Sequence, residues 1–345
     1  RRYTPRPPAH GTTHMRFRPV FAAVAGFALS APLPAADIVL AVHGGAGTMP
    51  RAELSAEREA AVRADLTRAL RAGHAVIAQG GSSLDAVTRA IVVLEDSPYF
   101  NAGKGAVFNH DGVNELDASI MDGATRRAGA VAGLHRIRNP VLLARAVMEK
   151  SPHVMMAGEG AEAFAKSIGF EFVDPAYFRT EERWQQLQKA LAAEKAQASA
   201  TLPATAYFGT VGAVARDAKG QLAAATSTGG MTNKRWGRIG DAPVIGAGTY
   251  ASAQCAVSAT GWGEFYIRAA VAHDICARMA YRGDSVRAAA EEVVLKVVPA
   301  LGGDGGVIAL DASGRVAMPF NTEGMYRGTI DADGKVRTAV YRDGD

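Results

Sequence analysis

The sequence predicts a layered α/β fold in which helices cover the faces of largely antiparallel sheets. Apolar residues recur at three-to-four spacing through much of the first half, which indicates a block of amphipathic helices. The last third repeats a β-rich run, an Asp-x-x-Gly turn and a second β-rich run, which is typical of antiparallel hairpins. Strands and helices therefore come in blocks, whereas parallel βαβ folds alternate them one by one.

The pattern begins with one strand and two helices. Residues 38–42 read IVLAV, a buried strand that we expect to lead into a glycine-permitted loop, HGGAG. Residues 52–79 carry apolar side chains at helical spacing. Ser82 and Asp85 open a second helix that runs to about Glu95.

The middle of the chain predicts two strands and further helices. The strand-like pieces are 115–121 and 128–134, and a helix follows with Asn139 as its N-cap and Pro140 at its first position. The string EGAEAFAKSIG predicts another helix. Residues 180–206 are rich in Ala, Gln, Glu and Lys without a persistent apolar face, so we expect a helix that frays into a mobile linker.

The last third contains the repeated turns. They lie at 217–220, 311–314 and 331–334, and helices are predicted at 264–280 and 286–298. We expect this part to pack with the preceding helices as one domain.

Composition and charge exclude several classes of protein. The 345 residues are 48% hydrophobic and 21% charged, as in ordinary globular proteins. The net charge is +4, but the first twenty residues alone carry five arginines and no acid. The remainder is nearly neutral, so we expect neither a nucleic-acid nor a membrane partner.

The amino-terminal segment has the layout of a secretory signal. From Met15 the chain gives two arginines, an apolar stretch over 19–33 and the small-residue run SAPLPAAD. We expect residues 1–14 to be an upstream extension, residues 15–36 to be a signal peptide, and the protein to be periplasmic or secreted. A lipid-embedded anchor or a buried helix is the alternative interpretation.

The chain has two cysteines, Cys255 in a strand-like run and Cys276 in a helix-like run. An oxidising compartment would permit a bridge between them. Two cysteines in so long a chain do not make a disulfide framework, and we expect both to be buried, unpaired small residues.

Two strings carry side chains suited to hydrolysis. In FGTVGAVARD, Thr210 follows a glycine and opens an apolar strand, a setting that also suits an ordinary β-branched residue. In AATSTGGMTNKRWGRIGD, Thr228 could bond to a nucleophilic hydroxyl. Arg238 and Asp241 could bind the carboxylate and the ammonium of an amino acid, or they could form an exposed ion pair.

A third string, AVSATGWGEF, places Thr260 and Gly261 where a strand gives way to a helix. A hydroxyl and a backbone N–H at such a corner can form an oxyanion hole, which stabilises charge on a carbonyl oxygen. A plain capping turn is the alternative.

Together and in this order, these strings resemble the plant-type (type III) L-asparaginases, the isoaspartyl peptidases of the N-terminal-nucleophile hydrolase superfamily. The resemblance covers nearly the whole chain after the signal, including AVHGGAG, SPYFNAGKGAVFNHDGVNELDASIMDG, LGGDGGVIAL and PFNTEGMYRG. It implies a four-layer αββα sandwich and a precursor that cuts itself between Gly209 and Thr210. It also implies an α-subunit of residues 37–209, a β-subunit of residues 210–345, one structural domain over 37–345 and an (αβ)₂ assembly.

The resemblance also implies roles for individual residues. Thr210 would be the nucleophile and, through its freed α-amine, the base, and Thr228 would support its hydroxyl. Arg238 and Asp241 would hold the α-carboxylate and α-amine of L-asparagine or an isoaspartyl dipeptide.

Further residues would complete the site by the same resemblance. Thr260 and Gly261 would form the oxyanion hole and contact substrate, and Asn101 would have a supporting role near the nucleophile. No cofactor is implied for catalysis. A structural sodium ion is implied at the backbone carbonyls of Leu94, Glu95, Ser97, Phe100, Ala102 and Lys104.

Elementary chemistry favours the same mechanism. An α-amine has a pKa of about 7.7–8.0 and is partly neutral near pH 7, whereas a lysine, near about 10.4, is not. Cutting before Thr210 would therefore create the base that its hydroxyl needs. Gly209 has no side chain to block attack on its carbonyl.

Three other functions compete with this one. A glycosylasparaginase-type hydrolase of sugar-linked asparagine remains the alternative, although its nucleophile typically follows an aspartate where this chain has Gly209. The HGGAGT string lacks the spacing of a dinucleotide-binding loop. A serine or cysteine triad would need a competent histidine, and His43 and His153 are interpreted as structural.

Overall fold

Two β-sheets face each other in the computed structural model, and helices cover both outer faces. The structure describes residues 39–47, 51–196 and 209–342. The predicted αββα sandwich is confirmed. The predicted signal peptide and the later part of the predicted linker lie outside the described residues.

The larger sheet has the strand order β12-β11-β1-β5-β6-β2-β3-β4 and the smaller one β10-β9-β8-β7. All pairings are antiparallel except that of β3 with β4. The strands are β1 Val39–Ala46, β2 Leu116–Asp122, β3 Ala128–Leu134, β4 Met155–Ala157, β5 Val211–Arg216, β6 Leu222–Thr228, β7 Thr249–Ala251, β8 Cys255–Gly261, β9 Gly305–Asp311, β10 Val316–Ala317, β11 Gly324–Ile330 and β12 Val336–Tyr341.

The helices bury their apolar sides against the two sheets. Those on the larger sheet are α1 Ala56–Ala78, α2 Ser83–Glu95 and α3 Pro140–Lys150, and α4 Gly158–Ser167 and α5 Glu181–Ala196 follow them in the chain. Three helices cover the smaller sheet, α6 Gly263–Ala269, α7 Val271–Arg282 and α8 Val286–Glu292. Helix α8 continues through a π-helical turn, Val293–Val297, into α9 Val298–Ala300. A third apolar layer fills the space between the sheets, and its members are mostly small, as Ala41, Ala224 and Ala256 illustrate.

Local side-chain chemistry starts the helices where the sequence predicts. Ser82 and Asp85 form a capping box at α2, in which the Ser82 hydroxyl accepts the Asp85 N–H and the Asp85 carboxylate accepts the Ser82 N–H. Pro140 is the first residue of α3, as predicted. The side chain of Asn139 does not cap that helix, because the Val141 N–H is bonded instead by the carboxylate of Glu95, at 3.0 Å.

The three predicted turns are confirmed as hairpin turns. They join β5 to β6, β9 to β10 and β11 to β12. Asp217, Asp311 and Asp331 each accept two backbone N–H groups from inside or just beyond their own turn. The glycine that ends each turn has a positive φ, between 76° and 84°.

Two predicted elements differ from the structure in part. Strand β1 runs on through most of HGGAG, with a bulge between His43 and Gly45, because β11 continues to pair with it after its pairing with β5 ends at His43. The helix predicted over 264–280 is interrupted at Ala270, which is left-handed with φ 48°. The helical part of residues 180–206 is confirmed by α5.

The expectation of unpaired cysteines is wrong. Cys255, at the start of β8, and Cys276, in α7, form a disulfide with a Cα–Cα distance of 5.5 Å. Both side chains lie in the layer between the smaller sheet and its helices. Sequence periodicity gives the buried face of each element but not the residue that lies opposite it, so the pairing could not be predicted.

Among the described residues, no helix has both the length and the apolarity that crossing a membrane requires.

We expect the disulfide to stabilise the fold. Its two cysteines are 21 residues apart. Closing a loop of that size lowers the conformational entropy of the unfolded chain, which raises the free energy of that chain by about 3 kcal/mol. A reducing agent should therefore lower the thermal unfolding temperature of the protein. The C255A/C276A double variant, as control, should unfold earlier and be insensitive to reductant; equal sensitivity in both proteins would contradict the expectation.

Candidate active site

A single cleft collects the side chains that the sequence singles out. It lies where the carboxyl-terminal ends of β1, β6 and β8 meet the residues just before β5. The residues lining it are Ala46, Asn101, Gly209, Thr210, Thr228, Gly230, Met231, Arg238, Gly240, Asp241, Thr260 and Gly261. All eight residues predicted for catalysis, self-cleavage or substrate binding are among them.

Strand pairing brings the two central threonines together. Because β5 and β6 are antiparallel, with Val211 opposite Ser227, Thr210 lies beside Thr228. The Thr210 hydroxyl donates to Thr228 Oγ1 at 3.0 Å, and the same oxygen accepts the Gly230 N–H at 3.0 Å. The Thr210 hydroxyl is thus held in one orientation at the edge of the cleft.

The carbonyl before Thr210 also has a fixed partner. The Gly209 carbonyl accepts the backbone N–H of Asn101 at 2.9 Å. The Asn101 side chain spans two loops, since its Oδ1 accepts the Val107 N–H and its Nδ2 donates to the Gly230 carbonyl. Asn101 therefore lies beside the predicted cleavage point, as expected, and contacts it through its backbone.

Glycine is required where β1 passes this carbonyl. Gly45 has φ 116°, and a Cβ added there would lie 2.2 Å from the Gly209 Cα. Gly209 itself has φ 99°. The HGGAG string is thus explained by a close approach of two backbone segments, which no larger residue permits.

The far wall of the cleft comes from the smaller sheet. Thr260 and Gly261 end β8, as predicted, and the Thr260 hydroxyl oxygen accepts the Ala46 N–H at 3.2 Å. This contact joins the end of β8 to the end of β1 across the cleft. Ala46, Thr260 and Gly261 line the same cleft as Thr210.

Arg238 and Asp241 both line the cleft, but they do not form an ion pair in an exposed loop. The Arg238 guanidinium bonds both carboxylate oxygens of Glu264, at 2.9 and 2.8 Å. Asp241 is buried, and its Oδ2 has no hydrogen-bond partner within the described part of the chain. Burial raises the pKa of Asp241 to about 7, against the opposing effect of Arg238. A ligand that offers a cation to Asp241 would satisfy this carboxylate.

His43 lies beneath Thr210 rather than in the cleft. It is fully buried, with Nδ1 3.0 Å from the Thr210 carbonyl oxygen and Nε2 2.9 Å from Ser258 Oγ. Burial lowers its pKa to about 3, so the ring is neutral. The sequence-based interpretation of His43 as structural agrees with this position.

The loop after α2 has the donor type that a sodium ion would need. No described cluster of three or more His, Cys, Asp or Glu side chains could hold a metal. The loop folds tightly on itself: a Cβ on Gly103 would lie 2.3 Å from the Glu95 carbonyl oxygen, and one on Gly105 would lie 2.1 Å from that of Phe100. Carbonyl oxygens concentrated in this way are the donor type that hard cations prefer.

Comparison with known proteins identifies the family to which this chain belongs. The family model described as asparaginase matches residues 36–340. The chain belongs to the asparaginase family.

Matches to relatives within the asparaginase family cover most of the length of this chain. The isoaspartyl peptidase of Salmonella typhimurium is 53% identical over 309 residues, which cover 88% of this chain and 99% of the relative. The isoaspartyl peptidase of Escherichia coli is 53% identical over 312 residues, which cover 88% of this chain and 96% of the relative. The plant-type L-asparaginase of Pyrococcus abyssi is 41% identical over 295 residues, which cover 84% of this chain and 94% of the relative.

Sequence reasoning missed several residues of this asparaginase-family site. The sequence predicts Glu264 only as the start of a helix, yet Glu264 binds Arg238. Ala46, Met231 and Gly240 line the cleft without a chemical signature of their own. The only signal for Ala46 was its place at the end of HGGAG.

Glu95 is an unusual buried acid close to the site. Its Oε1 accepts the Ser227 hydroxyl at 2.6 Å, whereas Oε2 has no partner among the described residues. Burial raises its pKa to about 8, although the Ser227 hydrogen bond opposes the shift.

Glu95→Gln should change the pH dependence of stability. Because the folded-state pKa of Glu95 exceeds the unfolded one, its protonation stabilises the fold fully below about pH 4.5 and the effect is lost as the pH rises through about 8. Urea titrations should therefore show the variant gaining on the parent by up to a few kcal/mol between these pH values. Glu149→Gln, in an exposed ion pair, is the control; parallel curves for parent and E95Q would contradict the assignment.

Proposed function

We propose that this chain hydrolyses β-aspartyl amide bonds with Thr210, which becomes an N-terminus when the precursor cuts itself after Gly209. The observation that carries the proposal is the Thr210 hydroxyl, 3.0 Å from Thr228 Oγ1 and beside a carbonyl already bonded by a backbone N–H. The names of the relatives supply the substrate class, isoaspartyl peptides and L-asparagine.

Self-cleavage begins with attack of Thr210 Oγ1 on the Gly209 carbonyl carbon. The new C–O bond replaces the C–N bond, and the hydroxyl proton passes to the departing nitrogen. Water then hydrolyses the ester, leaving a Gly209 carboxylate and a free Thr210 amine and hydroxyl. The Asn101 N–H, at 2.9 Å from the Gly209 oxygen, stabilises the negative charge that develops there.

Turnover repeats this attack on a substrate. The freed amine, with a pKa of about 7.7–8.0, accepts the proton of the Thr210 hydroxyl as Oγ1 attacks the side-chain carbonyl. Thr260 and Gly261 stabilise the oxyanion, and ammonia or an amino acid leaves with the proton. Water then releases aspartate, while Thr228 keeps the Thr210 hydroxyl oriented.

Two charged groups select the aspartyl portion. Asp241 binds the substrate α-ammonium, which satisfies its unpaired Oδ2. Arg238 binds the α-carboxylate, for which the bidentate Glu264 carboxylate is an internal substitute in the free protein.

The assembled enzyme extends this proposal. Residues 37–209 form the α-subunit and 210–345 the β-subunit of an (αβ)₂ assembly. A sodium ion would be held by the backbone carbonyls of Leu94, Glu95, Ser97, Phe100, Ala102 and Lys104, and it would brace the Asn101 loop without a chemical part in turnover. Export to the periplasm or beyond is supported by the Cys255–Cys276 disulfide, since such bridges persist in oxidising compartments.

Thr210→Ala tests the nucleophile. Without the hydroxyl neither cleavage nor hydrolysis can begin, so a denaturing gel should show one uncut chain, and activity on β-aspartyl-leucine should fall by at least about a thousandfold. Thr210→Ser keeps a hydroxyl and is the matched control, which should give two fragments, the second beginning at position 210. An active T210A protein, cut at the same bond, would end the proposal.

Asp241 should impose a pH limit on substrate binding. Because its raised pKa lies at about 7, the carboxyl is protonated below that pH and its attraction for the α-ammonium is lost. KM for β-aspartyl-leucine should therefore rise as the pH falls through about 7, while kcat follows the Thr210 amine. Asp241→Asn should show a high KM at every pH; a KM that still follows the parental profile in this variant would rule out the assignment.

A further inference from the structure

Polar side chains form two facing rows between the sheets. In the larger sheet, Ser119, Thr226, Gly212 and His43 are register partners across four neighbouring strands. In the smaller sheet, Thr249 and Ser258 are partners across β7 and β8. The side chains in these rows are fully buried. They stand in an otherwise apolar layer, where polar groups are costly unless they are bonded.

Hydrogen bonds connect the two rows in a zigzag, which we call the interlayer network. Its members, in order, are Ser119, Thr249, Thr226, Ser258 and His43. The successive distances between their side-chain atoms are 2.8, 2.5, 2.6 and 2.9 Å. The last link, of 3.0 Å, runs from His43 Nδ1 to the carbonyl oxygen of Thr210.

The protons in this network point one way, towards Thr210. A carbonyl oxygen only accepts, so His43 Nδ1 carries the proton, and the neutral ring leaves Nε2 as an acceptor. Ser258 therefore donates to His43, so Thr226 is the donor in its 2.6 Å contact with Ser258. The Thr226 hydroxyl also faces the Gly248 carbonyl, at the longer distance of 3.1 Å. Thr249 donates to Thr226 in turn. Hydrogen bonds aligned in this way polarise and strengthen one another.

Gly212 makes the network possible. A Cβ at this position would lie 2.0 Å from Ser258 Oγ and 2.1 Å from His43 Nε2. The missing side chain leaves the space in which the Ser258 hydroxyl reaches the imidazole. Gly212, the second glycine of the FGTVG string, is therefore required by the hydrogen bond between Ser258 and His43.

We propose that Ser258 and Thr226 are positioning residues for the nucleophile, which they hold in place by holding the imidazole of His43 through its Nε2. This inference rests on the proposed function, in which Thr210 attacks the substrate. Without the Ser258 hydroxyl, Nε2 is left as a buried acceptor with no donor, and the ring loses one of the two hydrogen bonds that fix its angle to the Thr210 carbonyl.

The His43 contact matters most after self-cleavage. Thr210 then has no preceding peptide bond, and β5 begins only at Val211. The hydrogen bond to its carbonyl oxygen is therefore what orients the Thr210 Cα, and with it both the hydroxyl and the freed amine. A loss of this contact should reduce the rate of the chemical step and leave substrate binding intact.

The test compares two variants with two matched controls. Ser258→Ala removes the donor to His43, and Thr226→Val removes the next hydroxyl while keeping the shape of the side chain. Thr226→Ser keeps that hydroxyl. Ser227→Ala removes an equally buried hydroxyl from the opposite face of the same strand, where it bonds Glu95 instead.

Two readouts are needed. The first is kcat and KM on β-aspartyl-leucine, at equal amounts of cleaved protein. S258A should lose about tenfold in kcat, T226V severalfold, and both should keep KM within about twofold, whereas T226S and S227A should resemble the parent. The second is ¹⁵N NMR of labelled histidine, in which the Nε2 signal of His43 should keep its parental position in the controls and shift in S258A, because that variant has no donor to this nitrogen.

The outcomes separate the alternatives. Parental kcat in both S258A and T226V would overturn the proposal, as would a parental Nε2 signal in S258A or an equal loss of kcat in S227A. If S258A does not fold, the T226V and T226S pair decides in the same way. The Nε2 signal is measured without turnover, so a parental protein that is uncut and inactive on β-aspartyl substrates would overturn the proposed function separately.

Discussion

Close backbone packing around Thr210 is the constraint on which the rest of this structure depends. Thr210 stands where β1 and β5 of the larger sheet meet β8 of the smaller one. Within the larger sheet, Gly45 of β1 passes Gly209 with no room for a Cβ, and between the sheets Gly212 of β5 leaves space for Ser258 of β8. Close packing of this kind fixes the surroundings of Thr210 before any ligand arrives.

Two carboxyl groups are buried near Thr210, and their burial costs folding free energy. Asp241 is buried with an unpaired oxygen, and Glu95 is buried with another, within the part of the chain that the structure describes. An isolated buried carboxylate is unfavourable, so a site that keeps one is suited to a charged ligand. Arg238 avoids the same cost by bonding Glu264. Asp241 lies at the cleft, where a ligand can reach it, whereas Glu95 lies outside the cleft and its raised pKa keeps it protonated at neutral pH.

The interlayer network and the disulfide illustrate a shared limit of sequence reasoning. Each joins residues that lie far apart in the chain and that look ordinary in their own strings. Ser258 has the pattern of a strand residue and Cys255 that of a small apolar one. Their partners, His43 and Cys276, are determined by the way sheets and helices stack, and stacking leaves no local pattern. The break at Ala270 is of the same kind, since its neighbours have good helical spacing.

The sequence alone determined the elements whose physics is local. Turn chemistry gave the hairpins at Asp217 and its two counterparts, the Ser82 capping box gave the start of α2, and the threonine and glycine strings gave the residues that line the cleft. Only the tertiary structure decided that Glu264 binds Arg238, that the cysteines pair and that His43 supports Thr210. These contacts depend on which faces meet across the fold, and a periodic pattern specifies a face but not its partner.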